Sequence, residues 1–373
     1  MKAGQWGRSG GAVRTGGAGL LVGLALWFGL AWYGASQPQT AAARVELAKI
    51  GPENANHLQQ VGELAFGEWS LATDLAWSPD GRWLAVGAGD AIHLLDLQTW
   101  APGAPLKPAY SYSTGAFSHG LAFSPDGAWL AAGSRDGLLR VWVMPPVGEA
   151  FEPELQIQAH RKGVNAVTFS PDGLRLASGG NDAVARFWDR GNGKMLGLMV
   201  GGTFAVPSID FTPDGTLLAV VNGPLVRLRE VGTERITGTF RWDAPLYRAI
   251  FSPDGNLLAA SDQDNRVLLW DPATAYRTGR EQYPEPQVLA GHRGRSGGYR
   301  ALVWDLAFSP DSRLLASAGG DGQTLVWDVA SGRLLAALAA HPRGAAAAGF
   351  NPGGLLLATA GLDGRVRLWG VVP

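Results

Sequence analysis

The chain of 373 residues contains no cysteine. This absence excludes disulfides, thiolate metal sites, iron–sulfur clusters and cysteine nucleophiles. Neither sign of charge is in excess, because 31 Lys and Arg stand against 32 Asp and Glu. A dedicated nucleic-acid binder carries a basic surplus, so we expect no nucleic-acid partner. The hydrophobic share of 46% is sufficient for a large packed core.

Charge is also missing from a long stretch near the N-terminus. No charged residue lies between Arg14 and Arg44. As a helix, residues 15–36 would span about 33 Å, enough to cross a bilayer core of ~30 Å. Basic residues precede this segment, so the positive-inside bias predicts an uncleaved signal anchor with a cytoplasmic N-terminus. A signal peptide cleaved after Ser36 is the alternative, and it would leave a secreted or periplasmic protein.

A tetrad of Ser-Pro-Asp-Gly, or a near copy, occurs seven times. The first residue can hydrogen-bond its own turn, Pro fixes φ and Gly ends the turn, so each tetrad predicts a β-turn. Short apolar runs precede and follow each turn, which predicts short antiparallel strands and an all-β fold. The turns are residues 78–81, 124–127, 170–173, 212–215, 252–255, 309–312 and 351–354.

Five of the seven copies carry Trp eighteen residues after the first turn residue, and Asp follows it in three. These residues are Trp142, Trp188-Asp189, Trp270-Asp271, Trp327-Asp328 and Trp369. Over residues 57–373 this pattern resembles the WD40 repeat family. The resemblance implies a seven-bladed β-propeller with four strands per blade. The last repeat supplies only three strands, so we expect Leu58–Leu64 to complete the last blade and close the ring.

The predicted fold class is therefore all-β: a seven-bladed WD40 β-propeller closed by an N-terminal strand and preceded by one hydrophobic N-terminal helix. Three segments are expected. Residues 1–36 form a basic N-terminus and a signal anchor or signal peptide, residues 37–56 form a linker, and residues 57–373 form the propeller.

Three repeats carry a His, a Ser or Thr, an Asp and a Trp in register, a combination that resembles a nucleophilic triad. The WD40 resemblance implies instead a hydrogen-bond network within each blade. Repetition favours the structural role, because an active site is normally built once. We expect no catalytic residue, metal or cofactor. The sets are His160, Ser178, Asp182 and Trp188; His292, Ser317, Asp321 and Trp327; and His341, Thr359, Asp363 and Trp369.

Basic and aromatic residues recur in the segments that join successive blades, which the family geometry places on one face. Arg and aromatic side chains dominate interface hot spots, so we predict that this rim binds protein partners. The candidates are Trp69, Arg161, Lys162, Trp242, Arg293, Arg295, Tyr299, Arg300 and Arg343.

The predicted function is a non-enzymatic protein-interaction scaffold. A single-pass N-terminal helix would tether it to the membrane with the propeller on the extracytoplasmic side. Two alternatives stay open because fold does not settle function. One is an extracytoplasmic enzyme or small-ligand binder that uses the central channel. The other is a subunit of a cytoplasm-facing assembly.

Overall fold

The structure is a computed structural model, and it describes residues 46–67, 70–146, 151–200, 202–233, 235–275, 283–293 and 302–373. These residues form seven four-stranded antiparallel sheets and two short 3-10 helices, η1 (Ala55–His57) and η2 (Pro272–Thr274). Neighbouring sheets contact one another through their first strands around a complete ring. The predicted all-β, seven-bladed propeller is therefore confirmed.

Each sheet is one blade, and its strands are ordered from the central channel outward. The first strand of a blade lies at the channel and the fourth lies at the outer edge. The first strand of the chain, β1 (Gln59–Ala65), is the outermost strand of blade 7. Blade 1 contains β2 (Ala72–Trp77), β3 (Trp83–Ala88), β4 (Ala91–Asp96) and β5 (Tyr110–Ser113). Blade 2 contains β6 (Ser118–Phe123), β7 (Trp129–Ser134), β8 (Leu138–Val143) and β9 (Leu155–Gln158). Blade 3 contains β10 (Val164–Phe169), β11 (Arg175–Gly180), β12 (Val184–Asp189) and β13 (Met195–Val200).

The remaining blades follow the same plan. Blade 4 contains β14 (Ile209–Phe211), β15 (Leu217–Asn222), β16 (Leu225–Glu230) and β17 (Ile236–Arg241). Blade 5 contains β18 (Leu246–Phe251), β19 (Leu258–Asp262), β20 (Arg266–Trp270) and β21 (Gln287–Ala290). Blade 6 contains β22 (Val303–Phe308), β23 (Leu314–Gly319), β24 (Thr324–Asp328) and β25 (Leu334–Leu338). Blade 7 adds β26 (Ala345–Phe350), β27 (Leu357–Gly361) and β28 (Arg365–Gly370) to β1.

Blade 7 closes the ring by joining the first strand of the chain to the last. β1 runs antiparallel to β28, with Gln59 opposite Gly370 and Ala65 opposite Arg365. The pairing covers the edge that a three-stranded blade would expose. The closing strand predicted at Leu58–Leu64 is confirmed, with its bounds shifted by one residue at each end.

The described residues before β1 also pack on the propeller. Ala48 forms a β-bridge with Val371. Ile50 is only 1% exposed and packs in an apolar cluster with residues of blades 6 and 7. The sequence analysis predicted a linker over residues 37–56 from its Ala, Gln, Pro and Asn content, and residues 46–56 of it are described. One buried isoleucine fixes them to the propeller instead.

The Ser-Pro-Asp-Gly turns join the first and second strands of each blade, and they also connect neighbouring blades. In blade 2 the Ser124 hydroxyl donates to the Asp126 carboxylate and accepts from the backbone N–H of Trp129. Gly127 has a φ of +70°, and a Cβ there would lie 3.6 Å from Cδ of Pro79 in the turn of blade 1. The Pro of one turn thus packs on the Gly of the next, a role that the sequence analysis did not assign.

The predicted single-pass membrane localisation is contradicted. Within the described ranges, no helix is both long enough and apolar enough to cross a membrane. The two helices found there have three residues each. The predictions of a helix, an anchor or a signal peptide rest on the uncharged residues 15–36 and on the basic residues before them, and all of these lie outside the part of the chain that the structure describes.

Candidate functional site

Loops at the two ends of the blades form two faces of the propeller. One face carries the Ser-Pro-Asp-Gly turns. The other, which we call the entry face, carries the loops that lead into the first strand of each blade, such as residues 114–117 and 159–163. It also carries the turns between second and third strands, because strand direction alternates across an antiparallel sheet.

A cavity of about 470 Å³ opens on the entry face at the mouth of the channel. Its walls come from the first strands and adjoining loops of blades 1, 2, 6 and 7. The polar and aromatic lining residues are Thr73, Phe117, His119, Arg135 and Trp304. None of the five was among the residues predicted from the sequence.

Arg135 makes the rim of this cavity cationic. Its guanidinium lies over the Phe117 ring, 5.5 Å from the centroid. Among the described residues no carboxylate forms an ion pair with it. Burial, reinforced by the Arg135 charge, lowers the pKa of His119 to about 4. The imidazole is therefore neutral at pH 7 and offers hydrogen bonds without a charge.

Side chains near the first strand of several blades form hydrogen bonds to the next blade. Each of these residues lies four positions before the first residue of a Ser-Pro-Asp-Gly turn or its near copy. Asp74 accepts a hydrogen bond from the backbone N–H of Leu121 in the next blade at 2.8 Å. Asp305 accepts one from the N–H of Ala348 at 3.1 Å. Ser208 makes the equivalent bond between blades 4 and 5, also at 3.1 Å. These side chains hold the inner strands of the ring together.

Arg248 occupies the equivalent position in blade 5 and compensates the carboxylates of the channel. Its Nε lies 3.0 Å from Oδ1 of Asp305. Burial raises the pKa of Asp210 and of Asp305 to about 6, although the Arg248 charge opposes the shift. Burial likewise raises the pKa of Asp74. The charge of Arg248 therefore favours the ionised form of all three carboxylates.

The three triad-like sets each form a continuous network. In blade 3, Ser178 Oγ lies 2.8 Å from Nε2 of His160 and accepts from Nε1 of Trp188 at 2.9 Å. Nδ1 of His160 lies 2.8 Å from Oδ1 of Asp182. Matching networks join His292, Ser317, Asp321 and Trp327 in blade 6, and His341, Thr359, Asp363 and Trp369 in blade 7. All three hydroxyl residues are 0% exposed, so no substrate can reach them as nucleophiles.

An arginine completes two of these networks. Arg186 donates to Asp182 at 2.8 Å, and Arg367 donates to the corresponding Asp363 at 2.9 Å. Burial, together with the arginine charge, lowers the pKa of His160 and of His341 although the carboxylates oppose the shift. The sequence carried a signal that was not used, an Arg four residues after the Asp. Such pairs are Asp136 and Arg140, Asp182 and Arg186, Asp262 and Arg266, and Asp363 and Arg367.

Replacing Ser317 by Ala tests whether these networks stabilise the fold. Ser317→Ala leaves Nε1 of Trp327 and the His292 ring without their buried hydroxyl partner. We expect the free energy of unfolding to fall by about 1–3 kcal/mol, measured by urea denaturation. Ser331→Ala in an exposed turn is the control and should change it by less than about 0.5 kcal/mol. Equal effects of the two substitutions would contradict the structural role.

The described members of the predicted rim divide into two groups. Arg161, Lys162, Arg293 and Arg343 are exposed on loops of the entry face. Trp242 is partly buried: its Nε1 donates to Asp262 at 2.8 Å, and Arg266 lies over its ring. It takes the place in blade 5 that His takes in blades 3, 6 and 7. Trp69, Arg295, Tyr299 and Arg300 lie outside the described residues.

A sequence profile described as "WD domain, G-beta repeat" matches six stretches of the chain. The matched residues are 67–92, 113–143, 151–189, 236–271, 285–328 and 332–370. Together they cover more than half of the chain. The unmatched residues 190–235 contain most of blade 4, whose third strand ends in Arg229-Glu230 where blades 3, 5 and 6 have Trp-Asp.

Curated proteins resemble parts of the chain. WD repeat-containing protein 1 of Xenopus tropicalis is 37% identical over 81 residues, 22% of this chain and 11% of the relative. The small ribosomal subunit protein RACK1y of Oryza sativa is 33% identical over 109 residues, 27% and 32% of the two chains. The serine-threonine kinase receptor-associated protein of Gallus gallus is 27% identical over 129 residues, 35% and 33%. The chain thus matches between about a tenth and a third of the length of these relatives.

Proposed function

Since this chain belongs to the WD40 repeat family, we propose that it is a non-enzymatic protein-interaction scaffold whose partner binds at the channel mouth on the entry face. The observation that carries the proposal is the cavity of about 470 Å³ there. Two of the similar proteins bear names that place them in larger assemblies, a ribosomal subunit protein and a receptor-associated protein. Those names support an interaction role for this chain.

The cavity defines the chemistry of the partner. Arg135 supplies a cation that pairs with no described carboxylate, while Phe117 and Trp304 supply partly exposed aromatic surface. Arg and aromatic side chains in a concave pocket favour an anchor that combines a carboxylate with an apolar or aromatic group. The exposed Arg161 and Arg343 on nearby loops of the same face would favour further acidic residues in the partner.

A second candidate function is a propeller that binds a small ligand in the channel. It is favoured by the ionisable side chains that the structure brings together there, Asp74, Arg248 and Asp305. These groups are already engaged with one another or with backbone N–H groups of the next blade. A small ligand would therefore have to replace contacts that hold the ring, which makes protein binding at the mouth the better supported function.

Affinity capture from an extract of the source cells, followed by mass spectrometry, tests the proposal. We expect wild-type protein to capture a partner, and Arg135→Glu and Trp304→Ala each to reduce its recovery by at least about tenfold, which corresponds to 1.4 kcal/mol. The thermal midpoint of Arg135→Glu should stay within about 2 °C, because that side chain is exposed. Since Trp304 is partly buried, circular dichroism should show that Trp304→Ala remains folded. Arg333→Glu, an exposed arginine on the opposite face, is the matched control and should capture normally. Unchanged recovery with the first two variants would contradict binding at this cavity.

A further inference from the structure

The outermost strand of blade 3 exposes an unusual amount of apolar surface. Met195, Leu196, Leu198 and Val200 of β13 are 46%, 50%, 40% and 64% exposed. Phe204, just beyond the strand, is 54% exposed. A surface of this kind on one strand is typical of an interaction site rather than of scattered exposed residues.

β13 is also an open sheet edge. It is the last strand of its sheet, and no described strand pairs with its outer side. At the end of the strand, Arg229 donates to the Val200 carbonyl at 3.3 Å. Its six residues include no charge and no Pro, the usual devices that keep an edge from pairing.

The other outer strands carry such protection. β5 and β9 have four residues with alternating Ser or Gln, β17 ends in Arg241, β21 begins with Gln287, and β1 contains Glu63. β25 is uncharged as well, but the residues of η1 pack on it. Among the described strands, β13 is therefore the uncharged apolar edge on which no described helix or strand packs from outside.

We propose that β13 is the interface of a homodimer, in which a second copy of this chain pairs with it antiparallel about a two-fold axis at Leu198. A two-fold contact must be self-complementary, and this strand is. The pairing sets Leu198 opposite Leu198 of the second copy, and the exposed Leu196 opposite the exposed Val200 on either side. No charge faces a like charge anywhere along the six residues.

This inference goes beyond the proposed function and does not depend on it. β13 lies at the rim of the disc, so the dimer leaves the cavity on each entry face open. Two such sites on one particle bind a bivalent partner more tightly than either site alone, because the second contact becomes intramolecular. The dimer would thus turn one scaffold into a bivalent one.

Light scattering after gel filtration, with the full chain, tests the proposal. We expect wild-type protein at tens of micromolar to show twice the mass of the 39.2 kDa chain. Leu198→Lys places an ammonium group in the apolar contact of each copy and should raise the dimer dissociation constant by roughly 100-fold. Val288→Lys on the outer strand β21, where Val288 is 43% exposed, is the matched control and should stay dimeric.

Hydrogen exchange locates the contact independently of mass. Amides of residues 195–199 should exchange more slowly as the wild-type concentration rises, and those of β17 should not. Unchanged circular dichroism and thermal midpoints will show that both lysine variants are folded. A wild-type monomer at 50 μM, or a dimer that survives Leu198→Lys, would overturn the proposal.

Discussion

Deletion of Gln59–Ala65 is expected to abolish the cooperative unfolding transition of the propeller. The deletion removes the fourth strand of blade 7, so the whole length of β28 becomes an open edge. It also removes Val61 from the apolar cluster that joins blades 7 and 1. Since a domain is stable by only about 5–15 kcal/mol in total, losing a complete strand pairing and its core contacts leaves little net stability. Calorimetry should show no single sharp transition.

A circular permutant separates the closing role of the strand from its position in the chain. Ala48 faces Val371, so residue 46 lies beside the C-terminal end. A chain of residues 71–373, followed by a short glycine-rich linker and residues 46–67, would place β1 directly after β28. We expect this permutant to regain a cooperative transition, whereas residues 71–373 alone should lack one. Cooperative unfolding of residues 71–373 alone would show that the ring does not need its closing strand.

The sequence predicted the architecture well because the propeller repeats one local signal. Each turn tetrad and each Trp at the end of a third strand is a short-range pattern, and seven copies in register leave little freedom in the topology. The packing of Ala48 and Ile50 on the propeller was not predicted, for the opposite reason. It depends on one side chain, Ile50, which packs against blades that are distant in the sequence.

The candidate site was harder to predict because its residues come from four blades. Phe117, Arg135 and Trp304 have no common motif and meet only where the first strands converge on the channel. The hydrogen bond of Trp242 was not predicted for a similar reason, since an exposed loop tryptophan and one that donates to Asp262 look alike in the sequence. The spacing of residues within one repeat predicts contacts within a blade. Contacts between blades can be identified only once the arrangement of the blades in the ring is known.

Arg248→Met is expected to destabilise the propeller by about 3 kcal/mol at pH 8, since it leaves the buried charge of its ion-pair partner Asp305 uncompensated. The loss should shrink as the pH is lowered. Asp210 and Asp305 have pKa values of about 6 in the folded state, above the ordinary 3.8. A carboxyl group whose pKa is raised on folding stabilises the folded state while it is protonated. Its contribution is fully present at a pH below its pKa in the unfolded chain, and it is lost as the pH rises through its pKa in the folded protein. Removing Arg248 raises the folded pKa values further, so the penalty grows from pH 5 to pH 8.

Two comparisons isolate this effect. The lowered pKa values of His160 and His341 make both proteins less stable as the pH falls through about 6.5, so these contributions cancel in the difference between variant and wild type. Adding Asp305→Asn to Arg248→Met removes one of the uncompensated charges and keeps an oxygen that can accept from Ala348 N–H. We expect the double variant to recover about half of the loss at pH 8 and almost none at pH 5, measured by urea denaturation at both values. A loss that is the same at pH 5 and pH 8 would mean that Arg248 stabilises the channel through packing rather than through its charge.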